Sequence, residues 1–167
     1  MPLPSRLQQI VDLFATAPKE LRLQVLLDYV DKVPPLPPEL QTEGQLERVH
    51  ECQTPFFVAT RVDNGAVEFF FEAPPEAPTT RSYAGVLYEG LNGESVEEVL
   101  AVPDDFYLAM GLGETITLLR LRGMAAILRT IKRQVRDKTT AGDRDSSSHG
   151  MEGQSDPTAT EEAAQSG

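Results

Sequence analysis

The chain has 167 residues, enough for one domain with a short appendage, and its 40% hydrophobic content can form a modest core. Its net charge of −11 argues against binding to nucleic acid, which needs clustered Lys and Arg, and against docking on anionic lipid. No apolar run approaches the roughly 18 residues that span a bilayer, no signal-peptide pattern is present, and a lone cysteine suits a reducing compartment, so we expect a cytoplasmic protein.

Two amphipathic helices are predicted at the N-terminus. Apolar residues spaced by three and four positions form one stripe, made of Leu7, Ile10, Val11 and Phe14. Pro18 begins a second helix, whose apolar face consists of Leu21, Val25, Leu26 and Tyr29. The proline-rich stretch 33–38 then forms an extended, stiff connector, because each proline fixes φ and removes a hydrogen-bond donor.

A polar loop and a β-hairpin follow. Residues 39–54 show no periodicity, which predicts a loop that leads to Cys52. Strands are predicted over 56–62 and 67–72, joined through Asn64 and Gly65, because Asn-Gly between alternating apolar runs is the strongest short-range hairpin signal. The residues of the second strand that share a face are Val67, Phe69 and Phe71. This face is expected to pack against helices.

The second half of the chain is predicted to be helical. A helix over 79–91 points four residues inward, namely Tyr83, Val86, Leu87 and Leu91. Ser95 and Glu98 form a capping box for a short helix that reaches Val102. A long helix over 117–136 has an apolar stripe of Met124, Ile127, Leu128, Ile131 and Val135. Gly123 in this helix costs about 1 kcal/mol relative to Ala, so we expect it to lie in close contact with another element.

The apolar pattern ends after Lys138. Residues 139–167 contain six acids and one base, and are rich in Ser, Thr and Gly. Such a composition cannot bury enough apolar surface to offset the entropy of ordering. The sequence therefore predicts one domain over residues 1–138 and a disordered acidic tail over 139–167.

Cys52 is the candidate for chemistry. A lone cysteine is often a small buried hydrophobic residue, but Cys52 lies in a predicted loop, where functional residues are frequent. Arg48 and His50 favour the reactive thiolate, whereas Glu51 opposes it. The sequence alone leaves this balance open.

The sequence argues against a zinc site and against a Cys-His catalytic dyad. The two histidines are His50 and His149, too few to complete a zinc site with one cysteine. In an extended segment His50 points away from Cys52, which argues against a Cys-His dyad. One thiol without a proton-transfer group suits a sulfur shuttle, because persulfide transfer needs access and alignment more than an acid–base pair. Phe56 and Phe57 are predicted to line an apolar pocket that shields the sulfur.

Four segments occur in an order and spacing that resemble the SufE/CsdE family of sulfur acceptors. They are Leu36-Pro37-Pro38-Glu39-Leu40, then Arg48-Val49 with Cys52-Gln53-Thr54, then Leu91-Asn92-Gly93 with Glu98-Val99-Leu100, and finally Gly111-Leu112 with Leu119-Arg120-Leu121-Arg122-Gly123-Met124. The resemblance extends over residues 5–137, and Cys52 occupies the position of the family's acceptor cysteine.

This resemblance implies an α+β fold, with a small antiparallel sheet packed by helices, similar to the scaffold protein IscU. It implies that Cys52 accepts persulfide sulfur and that the protein activates its donor. The donor is a pyridoxal-phosphate-dependent cysteine desulfurase of the SufS or CsdA kind, or a rhodanese-like sulfurtransferase. A downstream iron–sulfur scaffold receives the sulfur. The carrier holds no cofactor or metal and is not an enzyme in its own right. Arg120 matches the family's conserved arginine and is expected, with Arg48 and Gln53, to support Cys52.

The chain departs from the family pattern at several positions. His50-Glu51 stands where the family often has Pro-Gly, and Arg122 where an Asn is common. An iron–sulfur scaffold is a poor alternative, because it needs about three thiolates per protomer. The alternative from another class is a protein-interaction module in which Cys52 is structural. The substitution Cys52→Ser separates this module from a carrier.

Overall fold

The structure, a computed structural model, describes residues 3–148, with side chains described for 3–140. A three-stranded antiparallel sheet is packed by helices, which confirms the predicted α+β class. The strands are β1 (Glu47–Arg48), β2 (Phe57–Asp63) and β3 (Ala66–Glu72). The described α-helices are α1 (Ser5–Thr16), α2 (Arg22–Leu27), α3 (Pro78–Leu91), α4 (Val96–Ala101) and α5 (Leu118–Ser148).

The N-terminal helices agree with the sequence only in part. The predicted stripe of α1 is fully confirmed, because all four of its apolar residues are buried. The second helix is shorter than predicted, since residues Lys19–Leu21 form a 3₁₀ turn before α2 begins. Leu21 is 53% exposed and lies outside the core. A 3₁₀ turn has three residues per turn, so Leu21 rotates off the face on which Leu26 is buried.

The β-hairpin forms as predicted. β2 and β3 pair in antiparallel register from Phe57 opposite Glu72 to Asp63 opposite Ala66. Asn64 and Gly65 have φ values of 51° and 81°, the positive values that the tight turn requires. The predicted inward residues of β3 are buried. This face of the hairpin therefore belongs to the core, with α3 and α5 packed on the sheet.

Strand β1 lies within the segment predicted as an unstructured loop. Glu47 pairs with Val58 and Arg48 pairs with Phe57, which adds a third strand to the sheet. Two exposed polar residues carry no alternating pattern, so nothing in their sequence marks a strand. β1 brings the chain to one edge of β2, from which the Cys52 segment departs.

The helices of the second half carry the predicted apolar stripes. All four inward residues of α3 are buried, as are the five stripe residues of α5. The Ser95 hydroxyl oxygen accepts a hydrogen bond from the Glu98 amide at 3.1 Å, which caps α4. Within residues 3–148 no helix is both long and apolar enough to cross a bilayer.

Helix α5 continues past its predicted end at Arg136 and reaches Ser148. The Thr139 hydroxyl donates to the Val135 carbonyl at 2.8 Å, within this continuing helix. The predicted acidic tail, residues 139–167, therefore begins inside α5. Its part from residue 149 onward lies outside the described residues.

Candidate functional site

Cys52 lies in a short loop, residues 49–56, that connects β1 with β2. The loop is closed at its ends by a hydrogen bond from the Val49 amide to the Phe56 carbonyl at 2.8 Å. Inside it, the Cys52 amide donates to the Val49 carbonyl at 3.2 Å and forms a turn. The Cys52 side chain is only 8% exposed, so this loop residue is buried in the structure.

The Cys52 thiol rests against Gly123 of α5. Its Sγ lies 3.9 Å from the Gly123 carbonyl oxygen, a weak hydrogen bond. A Cβ added to Gly123 would lie 3.2 Å from Sγ, closer than ordinary van der Waals contact. The predicted close contact at Gly123 is thus present, and it is made with Cys52 itself. We call this contact between Cys52 and Gly123 the seat.

A cavity of about 130 Å³ adjoins the seat. Its wall combines the Cys52 loop with the start of α3 and the start of α5. The lining residues are Cys52, Gln53, Thr54, Glu76, Ala77, Pro78, Thr79, Thr80, Leu119, Arg120, Gly123 and Met124. Since one water needs roughly 10–15 Å³ by this kind of measure, the cavity has room for an atom attached to the thiol.

Arg120 and Thr79 form a polar contact in the cavity wall. Nη1 of Arg120 donates to Oγ1 of Thr79 at 3.1 Å. Thr79 is buried in the first turn of α3, whereas Arg120 lies on the exposed first turn of α5. The structure therefore brings together Cys52, Gln53 and Arg120, three of the residues that the sequence singled out.

The other predicted site residues lie elsewhere. Arg48 is exposed on β1 and is not among the lining residues. Phe56 is fully buried, and its ring lies 5.8 Å from that of Phe71 in the core. Phe57 is half-buried at the start of β2. Neither phenylalanine lines the cavity, because Phe56 turns into the core and Phe57 enters the sheet.

The apolar part of the cavity wall comes instead from residues distant in sequence. These are Ala77 before α3, and Leu119 and Met124 on α5. Sequence reasoning did not connect them with Cys52, because their patterns describe only their own helices. The helical Gly123 was the one local signal that α5 approaches another element closely.

The seated thiol is held in its protonated form. Burial, reinforced by the negative charge of Glu51, raises the pKa of the Cys52 thiol to about 11. The balance that the sequence left open thus falls against the thiolate. At neutral pH the thiolate fraction of such a group is on the order of one in a thousand or less. Because the thiolate is the nucleophile, the seated conformation protects the sulfur and does not activate it.

A hydrogen-bonded cluster attaches the strands on either side of the Cys52 loop, β1 and β2, to α5. The Gln134 side-chain amide donates to the Val58 carbonyl and to the Glu47 carboxylate, both at 3.2 Å, and accepts from the Thr60 hydroxyl at 3.0 Å. Glu47 also forms an ion pair with Arg133. Burial raises the pKa of Glu47, but the hydrogen bonds from Arg133 and Gln134 outweigh it and lower this pKa. We call this cluster the loop base.

No metal position is evident in the part of the chain with described side chains. Among residues 3–140, no three His, Cys, Asp or Glu side chains come close enough to hold a metal ion. The groups that the structure places around the cavity include the Cys52 sulfur and the Arg120 side chain.

The described part of the chain is thus an α+β domain that holds one buried thiol, Cys52, at the edge of a cavity. A family model described as SufE, Fe-S metabolism associated domain, matches residues 8–135. The chain belongs to this SufE family, which confirms the resemblance of its four segments and connects the protein with iron–sulfur metabolism.

Several relatives agree with this assignment. An uncharacterized SufE-like protein of Mycobacterium tuberculosis is 43% identical over 136 residues, covering 81% of this chain and 94% of the relative. A solution structure of a hypothetical protein from Thermus thermophilus is 53% identical, has a TM-score of 0.75, and is matched over 83% of this chain and 99% of that one. The cysteine desulfuration protein SufE of Plasmodium vivax is 25% identical over 134 residues, covering 78% of this chain and 52% of the relative.

Proposed function

We propose that this protein is a persulfide-accepting sulfur carrier that activates a cysteine desulfurase and delivers sulfur for iron–sulfur cluster assembly. The observation that carries the proposal is the Cys52 thiol, seated on Gly123 beside a cavity, in a domain of the SufE family. The name of the Plasmodium vivax relative, a cysteine desulfuration protein, supports the same role.

The proposed reaction is an exchange between two sulfur atoms that needs no external oxidant or reductant. The Cys52 thiolate attacks the terminal sulfur of a cysteine persulfide on the donor. A new S–S bond forms at Cys52 Sγ, the donor's S–S bond breaks, and its electron pair stays on the donor's cysteine sulfur. The proton that Cys52 lost is balanced by the one that the donor thiolate gains.

The geometry divides this cycle into two states. With a pKa of about 11, the seated thiol is a poor nucleophile, so we expect the donor to react with Cys52 after it leaves the seat. The loaded Cys52 then returns, and the cavity of about 130 Å³ accommodates the added sulfur. Reductants and oxidants in solution are thereby kept from the persulfide.

The proposed partners follow from this chemistry. The donor is a pyridoxal-phosphate-dependent cysteine desulfurase of the SufS or CsdA kind, with a rhodanese-like sulfurtransferase as the second possibility. The receiver is an iron–sulfur scaffold. The protein acts as a carrier for these partners and not as an enzyme with a reaction of its own. Its unpaired cysteine suits the reducing cytoplasm.

One observation favours a second function. Cys52 is buried and protonated, as a structural cysteine is. The protein would then be an interaction module that binds and stimulates its partner through its surface. This module would need the shape of the loop and not the sulfur.

Intact-mass spectrometry tests the two functions. The protein is incubated with a cysteine desulfurase and cysteine without reductant, and Cys52→Ser serves as the matched variant. A carrier gains the mass of one sulfur atom, the Cys52→Ser variant gains none, and the variant still binds the desulfurase. An interaction module gains no sulfur, and its Cys52→Ser variant stimulates the desulfurase as well as the unmodified protein does.

A further inference from the structure

The wall of the Cys52 cavity contains one positively charged group. Of the residues that line the cavity in the described part of the chain, Arg120 is the sole cation, and Glu76 is the sole carboxylate. Arg120 is not free to turn at random, because its guanidinium donates to the Thr79 hydroxyl at 3.1 Å. Thr79 is itself 7% exposed, so this anchor is nearly buried.

Burial and the nearby negative charge of Glu51 raise the pKa of the unloaded Cys52 thiol. An atom bonded to Sγ would lie about 2 Å from it. Cys52 and Arg120 line the same cavity, so a sulfur atom attached to Sγ that enters this cavity shares it with the Arg120 side chain.

A persulfide differs from a thiol in a way that makes this cation useful. Persulfides are more acidic than thiols, so a loaded Cys52 carries a negative charge on its outer sulfur at a pH where the empty thiol is neutral. Placing an anion in a partly enclosed cavity is costly unless the charge is paired or hydrogen-bonded. A guanidinium supplies several N–H donors and a positive charge that persists at all relevant pH values.

We propose that Arg120 is the counter-ion of the Cys52 persulfide, and that Thr79 is the positioning residue that aims its guanidinium into the cavity. This inference rests on the proposed function, because it needs a persulfide at Cys52. Thr79 acts only through Arg120 and does not touch the reacting sulfur. The site thus discriminates between the two states of the carrier and favours the loaded, anionic one.

The roles of Arg120 and Thr79 are tested by measuring how the alkylation rate of Cys52 depends on pH, in the loaded and in the unloaded protein. After loading by a cysteine desulfurase and cysteine, the variants Arg120→Gln, Thr79→Val and Thr79→Ser are treated with iodoacetamide over a range of pH. The rate of persulfide alkylation gives the apparent pKa of the loaded group, and the same measurement on unloaded protein gives that of the thiol. Thr16→Val is the matched control, because the exposed Thr16 lies on α1 and does not line the cavity.

We expect Arg120→Gln to raise the apparent pKa of the persulfide by about one unit, since removal of a nearby opposite charge acts in this direction. Thr79→Val should raise it by less, because the guanidinium is misplaced and not lost. Thr79→Ser, which keeps the hydroxyl, and the control Thr16→Val should match the unmodified protein. The profile of the unloaded thiol should be the same in all variants.

Two results overturn the proposal in distinguishable ways. If the unmodified protein gains no sulfur, the proposed function fails and the inference fails with it. If sulfur is gained but the persulfide profiles coincide, or the thiol profile shifts by as much as the persulfide profile, Arg120 and Thr79 are structural and the inference alone fails. If Arg120→Gln does not accept sulfur from the desulfurase, the persulfide pKa values of Thr79→Val and Thr79→Ser are compared instead.

Discussion

The tip and the base of the Cys52 loop contact α5 in different ways. At the loop base, the Gln134 amide exchanges three hydrogen bonds with the sheet and with Glu47. At the seat, the contact between Cys52 and Gly123 is one weak sulfur–carbonyl hydrogen bond with a donor–acceptor distance of 3.9 Å. One helix therefore holds the base firmly and the reactive tip weakly.

This difference indicates how the segment can move without loss of the fold. Gly123 and Gln134 lie about three turns apart on α5, roughly 16 Å along its axis. The bond between Val49 and Phe56 closes the loop between these two positions. Release of the seat needs no change at the base, so opening is confined to the few residues around Cys52.

The largest effect is expected at the loop base. Gln134→Leu leaves the Thr60 hydroxyl and the Val58 carbonyl without their partner in a buried place. The free energy of unfolding should fall by about 2–3 kcal/mol, as measured by chemical denaturation. Gln9→Leu, the same change at an exposed position of α1, should stay within about 0.5 kcal/mol. Equal losses in the two variants would contradict the assignment of the base.

The seat predicts a pH dependence of stability. The folded-state pKa of Cys52, about 11, lies above the unfolded value of 9.0. Between these values the folded chain binds more protons than the unfolded one, so stability decreases as pH rises through this window. The loss should reach about 1–2 kcal/mol.

The difference between the unmodified protein and Cys52→Ala isolates this contribution, because other groups titrate in both. Denaturation curves recorded from about pH 8 to about pH 10.5, a range that brackets the unfolded value, should converge as the pH rises. Parallel curves over this range would show that the thiol titrates normally and is not seated in solution.

Gly123→Ala should change the reactivity of Cys52 more than the stability of the fold. The new Cβ lies 3.2 Å from Sγ and displaces the thiol, while Ala improves the helix by about 1 kcal/mol. Faster alkylation of Cys52 by iodoacetamide is expected, with little net change in unfolding free energy. In a Cys52→Ala background, where the sulfur is absent, Gly123→Ala should stabilise the fold by about 1 kcal/mol, close to the full amount that Ala adds to a helix. An identical effect in both backgrounds would show that Cys52 does not contact Gly123 in solution.

The smallest effect is expected from Glu47→Gln. The side chains of Glu47 and Arg133 are each nearly half exposed, and exposed ion pairs contribute at most about 1 kcal/mol. The loss should shrink in high salt, because exposed charges are screened. A large, salt-independent loss would instead mean that the carboxylate is an essential part of the base.

The sequence predicted the elements whose patterns are local. The turn at Asn64 and Gly65 needs only its own two residues, and the α3 stripe repeats within one helix. Strand β1 was missed because its two residues pair with β2 and have no pattern of their own. An α-helical period predicts Leu21 on the inward face, but the residue lies in a 3₁₀ turn and is exposed.

The candidate site shows the same division. Cys52 and Arg120 are predicted as site residues because they lie in recognisable segments, and the structure places both in the wall of one cavity. The contact of Arg120 with Thr79 joins residues 41 positions apart, and no spacing rule relates α3 to α5 at that point. Proximity in sequence predicts Phe56 as a shield of the sulfur, yet its ring packs against Phe71 in the core. Tertiary packing decides such contacts, and only the structure shows them.

The lone cysteine has a consequence for damage and repair. Oxidation of a thiol to sulfenic acid is normally reversed through a disulfide with a second thiol. This chain has one cysteine, so no neighbour within it can resolve a sulfenate at Cys52. An external thiol must reach the buried sulfur, and until it does, further oxidation leads to the irreversible sulfinic and sulfonic acids. The burial of Cys52 against Gly123 therefore slows both the oxidation of the thiol and its reduction by an external thiol.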